Sequence, residues 1–498
     1  MTSSVSTKKS VLKQASFGER IAEDEGTELA RYFVETDQWR RLFSGDRDIV
    51  YGPKGSGKSA LYSLLVQKAD ELFDRDILVV TAENPSGTPA FRDIVAEPPT
   101  AEPEFVALWK LYFLSLVAGV LKEWEVETPE AKKVYAAMRE AGLLQVRGTL
   151  QARLKAVRDY LRRITVEPTV TVDPATGLVG AGGKITLREP DQHQRDQGFI
   201  SLESLLDAAN EALQALHFTI WIVLDRLDVA FIQNEELEQN ALRALFKAYL
   251  DMKSLEKVRL KIFLRTDIWA RITESGFREA SHITASLTIS WDRPALLQLM
   301  MRRILKNAAI AEYYGVDPEQ VFASVEQQED LLTRMFPDQI DGGRNPKTFD
   351  WMLSRTRDGS QLSAPRELIH LLSSVRDSQL RRTDIGHEHP ADELLFDRPA
   401  FKEALKEVSS VRLTQTLYAE YPELRDYISA LEEEKSQQSV PTLSRIWKVD
   451  EAEARRAADR LIEVGFFEAR GTKEDPDYWV PFLYRDSLGL VQGEARDQ

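Results

Sequence analysis

Apolar residues in this chain fall into a few short unbroken runs set among long stretches of helical spacing. The runs are "DIVYG" (48–52), "DILVVTA" (76–82), "FTIWIVL" (218–224) and the first part of "RLKIFLRTDIW" (259–269). Each is short and bounded by polar residues, the pattern of strands buried on both faces of a parallel sheet. Helical spacing fills residues 17–48, "SALYSLLVQKADEL" after the first run, and residues 103–163, 201–216 and 291–375. Two segments break the pattern. "ENPSGTPAFRDIVAEPPTAEPE" (83–104) is Pro-rich and predicts a loop, and residues 164–190 alternate with period two around a Gly-rich turn, which predicts a β-hairpin excursion. Strands alternating with helices predict an α/β fold.

The first run leads into "YGPKGSGKS", which matches G-x-x-x-x-G-K-[ST] without a gap. The strand–loop–helix context is the one the motif requires. Its glycines let successive N–H groups turn into one concavity for phosphate oxygens, and the following helix adds its positive dipole end. The candidate cradle is Gly52, Pro53, Lys54, Gly55, Ser56, Gly57, Lys58, Ser59 and Ala60. Lys58 is expected to reach the β- and γ-phosphates, and the Ser59 hydroxyl to ligate Mg²⁺.

The third run delivers Asp225 at the carboxyl end of a strand, where ligands bind in such sheets. Asp225 is the second candidate Mg²⁺ residue. Asp228, three residues on, either orients or deprotonates an attacking water or is a structural acid at the strand end. The helical block and the hairpin are then insertions between the two motifs. In the fourth run, Arg265, Thr266 and Asp267 stand at the strand tip, as a γ-phosphate sensor or as a plain turn.

Composition narrows the class. The chain has no cysteine, which excludes disulfides, thiol catalysis and Cys-based zinc sites and fits a cytoplasmic protein. The N-terminal residues lack the apolar core of a signal peptide. The most apolar helix, residues 105–124, has an uninterrupted apolar part short of the ~20 residues a bilayer needs, so it predicts a buried helix and no membrane partner. A net charge of −15 weighs against whole-protein affinity for nucleic acid but leaves room for a local basic patch. Of the six histidines only His387 and His389 are close, in a stretch that reads as a solvated loop.

Taken in order, "YGPKGSGKS", "IVLDRLD", "FLRTDIW" and "SAPRELIHLL" resemble the AAA+/STAND branch of P-loop ATPases. With "AEDE…YFV.T..W" before them and "GFREASHIT" after, residues 17–375 look like a bacterial P-loop ATPase group often found among antiphage defence genes. The resemblance implies a three-layer α/β P-loop NTPase core (49–290, with a helical and β-hairpin insertion about 95–200) after an N-terminal helical lead-in (1–48). A helical lid (291–395) follows it. It implies ATP rather than GTP, with Mg²⁺, and hydrolysis coupled to conformational change. Thr266 or Arg265 matches the first sensor of that family. Arg366, opening a lid helix, matches the second, or is a solvated helix-start arginine. Arg278 stands where an arginine finger from a neighbouring subunit often lies, with Arg271 as a rival and a surface salt bridge as the bland alternative. The acids are spaced D-R-L-D instead of adjacent, which puts Asp228 as base in question and leaves motor or switch open.

Residues 396–498 look like a winged-helix domain, with helix–turn–helix spacing in "TLSRIWKVD" and "EAEARRAADRLIEVGFF" and a hairpin after it. From Asp450 to Val464 five acids face three arginines, so packing against protein is favoured over DNA. No nuclease, deaminase, protease or NADase constellation stands out. The expectation is therefore an ATP-dependent switch or assembly ATPase, homo-oligomeric and acting with a separate effector protein. The alternatives are a DNA-dependent loader- or remodeller-like ATPase and a nucleotide-stabilised scaffold without turnover.

Overall fold

A computed structural model describes residues 7–82, 102–144, 150–166, 185–227, 235–274, 276–472 and 476–495. The chain divides into two compact units that interleave in sequence. One holds Asp37–Gly52 and Lys58–Ile289, and the other holds Met1–Thr36, Pro53–Gly57 and Ser290–Gln498.

The first unit is built on a five-stranded sheet. Its strands are β1 (Ile49–Gly52), β2 (Ile77–Thr81), β3 (Thr219–Leu224), β4 (Val258–Arg265) and β5 (Ser286–Thr288). They lie in the order β2-β3-β4-β1-β5 and every pair is parallel. All carboxyl ends therefore share one edge. β3 and β4 are buried almost throughout, because their apolar side chains meet helices on both faces. The helices of this unit include α1 (Lys58–Gln67), α2 (Glu102–Glu123), α3 (Pro129–Glu140), α4 (Leu150–Val166), α5 (Leu202–Ala215), α6 (Glu235–Met252) and α7 (Thr266–Glu274), of which α3 packs on α5 and α2 and α4 packs on α2.

α2 is long and apolar enough to cross a bilayer by length and composition, but it is a core helix here, packed on α4, α5 and α6. Its polar atoms are bonded into the core. Trp109 Nε1 donates to the Ala241 carbonyl at 2.9 Å, and the Tyr112 hydroxyl donates to the Ala82 carbonyl at 2.7 Å. Most of the predicted hairpin lies outside the described residues. Its end, Ile185–Thr186, pairs in parallel with Ile200–Ser201. Period-two alternation reports a strand but not its partner.

At the amino end of the sheet a buried ion pair ties β1 to β4. Lys261 has no exposed surface, donates to Asp48 Oδ1 at 2.9 Å and to the Arg47 carbonyl at 2.6 Å, and lies 4.2 Å from the Trp221 ring centroid. Tyr249 donates to the other Asp48 oxygen at 3.2 Å. Burial lowers the Lys261 pKa, and Asp48 opposes that shift.

The second unit is mostly helical. It contains α8 (Arg293–Leu305), α9 (Pro365–Asp384) and α10 (Arg398–Arg412), followed by a π-helical turn, Leu413–Leu417. The N-terminal segment is fastened to α8 by a buried pair, Arg303 with Glu25, while Arg303 also donates to the Phe17 carbonyl at 2.8 Å. Toward the C-terminus come β6 (Lys435–Gln438), α11 (Val440–Trp447), α12 (Glu451–Glu463), β7 (Glu468–Gly471), β8 (Pro476–Trp479) and β9 (Val491–Glu494). These strands form a sheet in the order β9-β6-β8-β7, with β7 and β8 antiparallel. α11 starts at a Ser439–Thr442 capping box with Pro441 in its first turn, and α12 at an Asp450 cap, so local chemistry sets both starts.

Asp48→Ala strands a buried ammonium and should cost about 3–5 kcal/mol in denaturant unfolding, whereas Asp48→Ala with Lys261→Met should recover most of the loss. Equal instability of the single and double variants would show that the pair does not set β1 against β4.

Candidate phosphate-binding site

Gly52 ends β1, residues 53–57 form the loop, and α1 begins at Lys58. Gly55 and Gly57 have φ of +79° and +100°, in the region L side chains rarely adopt, so two loop N–H groups are turned by residues that permit it. Lys58 Nζ donates to the Gly52 carbonyl at 2.8 Å, turning the side chain back toward the end of β1. Asp225 follows β3 directly and is 4% exposed. β4 runs between β1 and β3, and Arg265 at its tip is in register with Gly52. The edge of this unit thus carries Gly52, Arg265 and Asp225 on three adjacent parallel strands.

Arg265 is committed to a neighbour. Its Nη2 lies 2.8 Å from Asp267 Oδ2, and its Nε donates to Asp267 Oδ1 at 3.1 Å. Burial works to raise the Asp267 pKa, but Arg265 and then Arg271 outweigh it and hold the carboxyl below its ordinary value. Thr266 is the first residue of α7. Arg271 pairs with the buried Glu238 at 2.9 Å, while Arg278 is exposed on a short 3₁₀ turn, Arg278–His282. Asp228 lies outside the described residues. His387 and His389 are exposed, and no group of three or more metal-ligating His, Cys, Asp or Glu side chains occurs among the described residues.

In the other unit the loop residues 53–57 rest on the start of α9. Gly55 is favoured by its φ of +79°, and a Cβ there would also be tight, 3.2 Å from Arg366 Cβ and 3.3 Å from Glu367 Oε2. The Trp291 indole donates to the Ser56 carbonyl at 2.8 Å, and Lys54 pairs with Glu420. Beside them is a cavity of about 120 Å³ lined by Arg20, Lys54, Arg366, Glu367, His370 and Arg412, among others. Four of these six carry fixed positive charge. His370 does not add to them, because burial and then Arg20 push its pKa down to about 4.

Arg412 stands behind this cavity. It is 7% exposed and lies 2.8 Å from Glu367 Oε1, 3.2 Å from Asp358 Oδ2 and 3.4 Å from the Tyr484 hydroxyl. Burial opposes its charge, but Tyr484, Glu367 and Asp358 outweigh it and raise its pKa. Trp291, Glu367, Arg412, Arg20, His370 and Glu420 were not singled out from the sequence. Glu367 and His370 lie within "SAPRELIHLL" but only Arg366 of that motif carried an expectation, and Trp291, Arg412, Arg20 and Glu420 meet their partners across long sequence separations.

No family model matches the chain, and no curated protein matches it. Among solved structures it is similar to the Aeropyrum pernix ORC2 protein in its ADPNP–ADP complexes, with 12% identity and a TM-score of 0.36, covering 95% of this chain and 92% of that one. The ADP form of the same protein gives 12% identity and a TM-score of 0.30, covering 97% and 96%. A likeness at this level fixes neither fold nor site, and both rest on the chain's own sheet order and side chains.

Two outcomes test the surroundings of the loop. Arg412→Met leaves the buried Glu367 and the partly buried Asp358 without their shared cation and should destabilise the protein by about 3–5 kcal/mol, with Glu367→Gln in the same chain recovering part of it. For His370 the folded pKa lies below the ordinary value of 6.5, so the unfolded chain binds more protons between these values. Stability should therefore fall as pH drops from about 6.5 to about 4, less steeply in His370→Gln. An NMR titration of the ring should have its midpoint near 4.

Proposed function

We propose that the chain is an ATP-binding and ATP-hydrolysing P-loop ATPase of AAA+ type that works as a switch or assembly device. One observation carries the reading: an intact phosphate-loop motif ends β1 while a buried Asp225 ends β3 on the same carboxyl edge, with Arg265 on the strand between. Backbone N–H groups of the loop and Lys58 would take the phosphates. Ser59 and Asp225 supply one hydroxyl and one carboxylate, hard oxygen donors of the sparse kind that suits Mg²⁺ shared with substrate phosphates. Bound there, Mg²⁺ would neutralise charge on the β- and γ-phosphate oxygens. Thr266 suits the first sensor better than Arg265, whose guanidinium is taken by Asp267. Arg366, beside Gly55, suits the second sensor, adding a cation next to the loop.

The finer reading rests on the sequence resemblance. In it the protein is a homo-oligomer that borrows Arg278 as a finger, and it serves as the sensing or scaffolding subunit of a bacterial antiphage system with a separate effector. The order β6–α11–α12–β7–β8 supports a winged helix, and the acidic α12 supports protein packing as its role.

The test is turnover and solution mass of the full chain, without nucleotide and with a slowly hydrolysed ATP analogue plus Mg²⁺. Lys58→Ala should weaken nucleotide binding at least tenfold, roughly 1.4 kcal/mol or more. Asp225→Asn should keep binding and lose turnover by about a hundredfold or more. Arg278→Ala should lose turnover with assembly intact. Binding without hydrolysis in wild type would leave a nucleotide-stabilised scaffold. Unchanged nucleotide affinity in Lys58→Ala would remove the reading altogether.

A further inference from the structure

The chain is acidic, yet one open groove of about 450 Å³ in the helical unit is basic. Arg398, Lys402 and Lys406 line it, all from α10, with Gly342 of the loop "DGGRNPK" on its other side. The three cations are spaced i, i+4 and i+8, so they form one row on one face of the helix, about 12 Å long. All three are exposed, as are Arg344 and Lys347 of the same loop. A row of like charges at this spacing repels itself, and an anionic ligand relieves that repulsion.

The nearby carboxylates are largely spoken for. Glu403, the one acid lining the groove, pairs with Arg382 at 2.9 Å and accepts from the Ser378 hydroxyl. Asp397, which caps α10, pairs with the same Arg382 at 3.2 Å. Asp341 is shared among Lys402 at 2.9 Å, Arg355 at 3.5 Å and the Trp351 indole at 2.7 Å. Lys406 acts electrostatically on Asp486 without forming an ion pair. Arg344, Lys347 and Arg398 are in no ion pair among the described residues. The patch therefore keeps a positive surplus on a chain whose overall charge is −15.

We propose that this groove binds the phosphate backbone of a nucleic acid, through Arg398, Lys402 and Lys406 of α10, with Arg344 and Lys347, exposed on the loop that supplies Gly342, adding to the positive surface. The row matches a regular array of charges. Over about 12 Å of axis, one strand of a duplex carries three to four phosphates. The α10 amino end adds its dipole at Arg398. The row offers charge to phosphates and not a shaped pocket for a base, so binding should be largely independent of sequence and steeply salt-dependent. The site does not depend on nucleotide hydrolysis or on the acidic α12.

The test is fluorescence anisotropy of the full chain with short labelled duplex DNA, duplex RNA and single-stranded DNA of the same length, between about 50 and 200 mM salt. Wild type should bind at least one of them, with log K falling against log salt at a slope of about −3 to −5. The probe preferred identifies which backbone is the natural one. Arg398→Glu with Lys406→Glu should weaken binding at least tenfold and flatten the slope by about 2, with melting temperature and ATP binding unchanged. If charge reversal lowers the melting temperature, Arg398→Gln with Lys406→Gln decides, and should flatten the slope by the same amount. Three results overturn the proposal: no binding by wild type at low salt, full affinity and slope in the neutralised variant, or equal competition by a polyglutamate of matched charge.

Discussion

A buried guanidinium at the end of α10 governs how the phosphate loop can exist where it does. Gly55 packs on the start of α9, which presents Glu367, a carboxylate, next to a loop whose chemistry calls for anions. The buried Glu367 and the partly buried Asp358 would repel phosphate and would themselves be costly to leave uncompensated. Arg412 compensates both at once and is itself held by the Tyr484 hydroxyl. The chain then continues into a π-helical turn and the short helix after it. Gln415 in that turn accepts from Arg20, and Glu420 beyond it pairs with Lys54. One short stretch thus holds the α9 start, the N-terminal segment and the loop. A π turn at this point is in keeping with their frequent placement at functional sites.

The sheet unit solves a different problem. Its polar strand-end residues arrive together on one edge, because parallel pairing brings every strand's carboxyl end there. β4 is the strand that matters most, since it separates β1 from β3 and extends to Arg265, level with Gly52. Lys261 in the same strand anchors it to Asp48 at the start of β1. The register at the working edge is therefore set by a buried charge pair at the opposite end. Arg265 and Asp267 close on each other across one turn, which leaves Thr266 as the polar group between them.

The phosphate loop and its flanking elements were legible because strand, loop and helix are consecutive and each position has a local reason. β3 and Asp225 were legible for the same cause, an apolar run with a polar end. The sheet order was not, since an unbroken apolar run says that a strand is buried but not beside which neighbour. Arg412 shows the limit best. Its partners lie 45 and 54 residues away in the chain, and in the sequence it is one arginine among many in a helical stretch. The same holds for Trp291, whose indole reaches Ser56 across 235 residues. Net charge is limited in another way. An average over the whole chain hides that two basic concavities, the loop cavity and the groove, both lie in the helical unit.

Both concavities are built on α10. Arg398, Lys402 and Lys406 stand along its first part, and Arg412 closes its last turn. The helix is about 22 Å long, packs along α9 and buries Phe401, Ala404, Leu405 and Val408. An anion drawn into the groove and an anion drawn to the loop would both act on this one helix. If α10 has two positions, each ligand biases the same equilibrium. The coupling free energy must be equal in both directions, whichever ligand binds first. The physical carrier of that coupling would be Arg412, because any displacement of α10 along its axis is a displacement of the charge that keeps Glu367 beside Gly55 compensated.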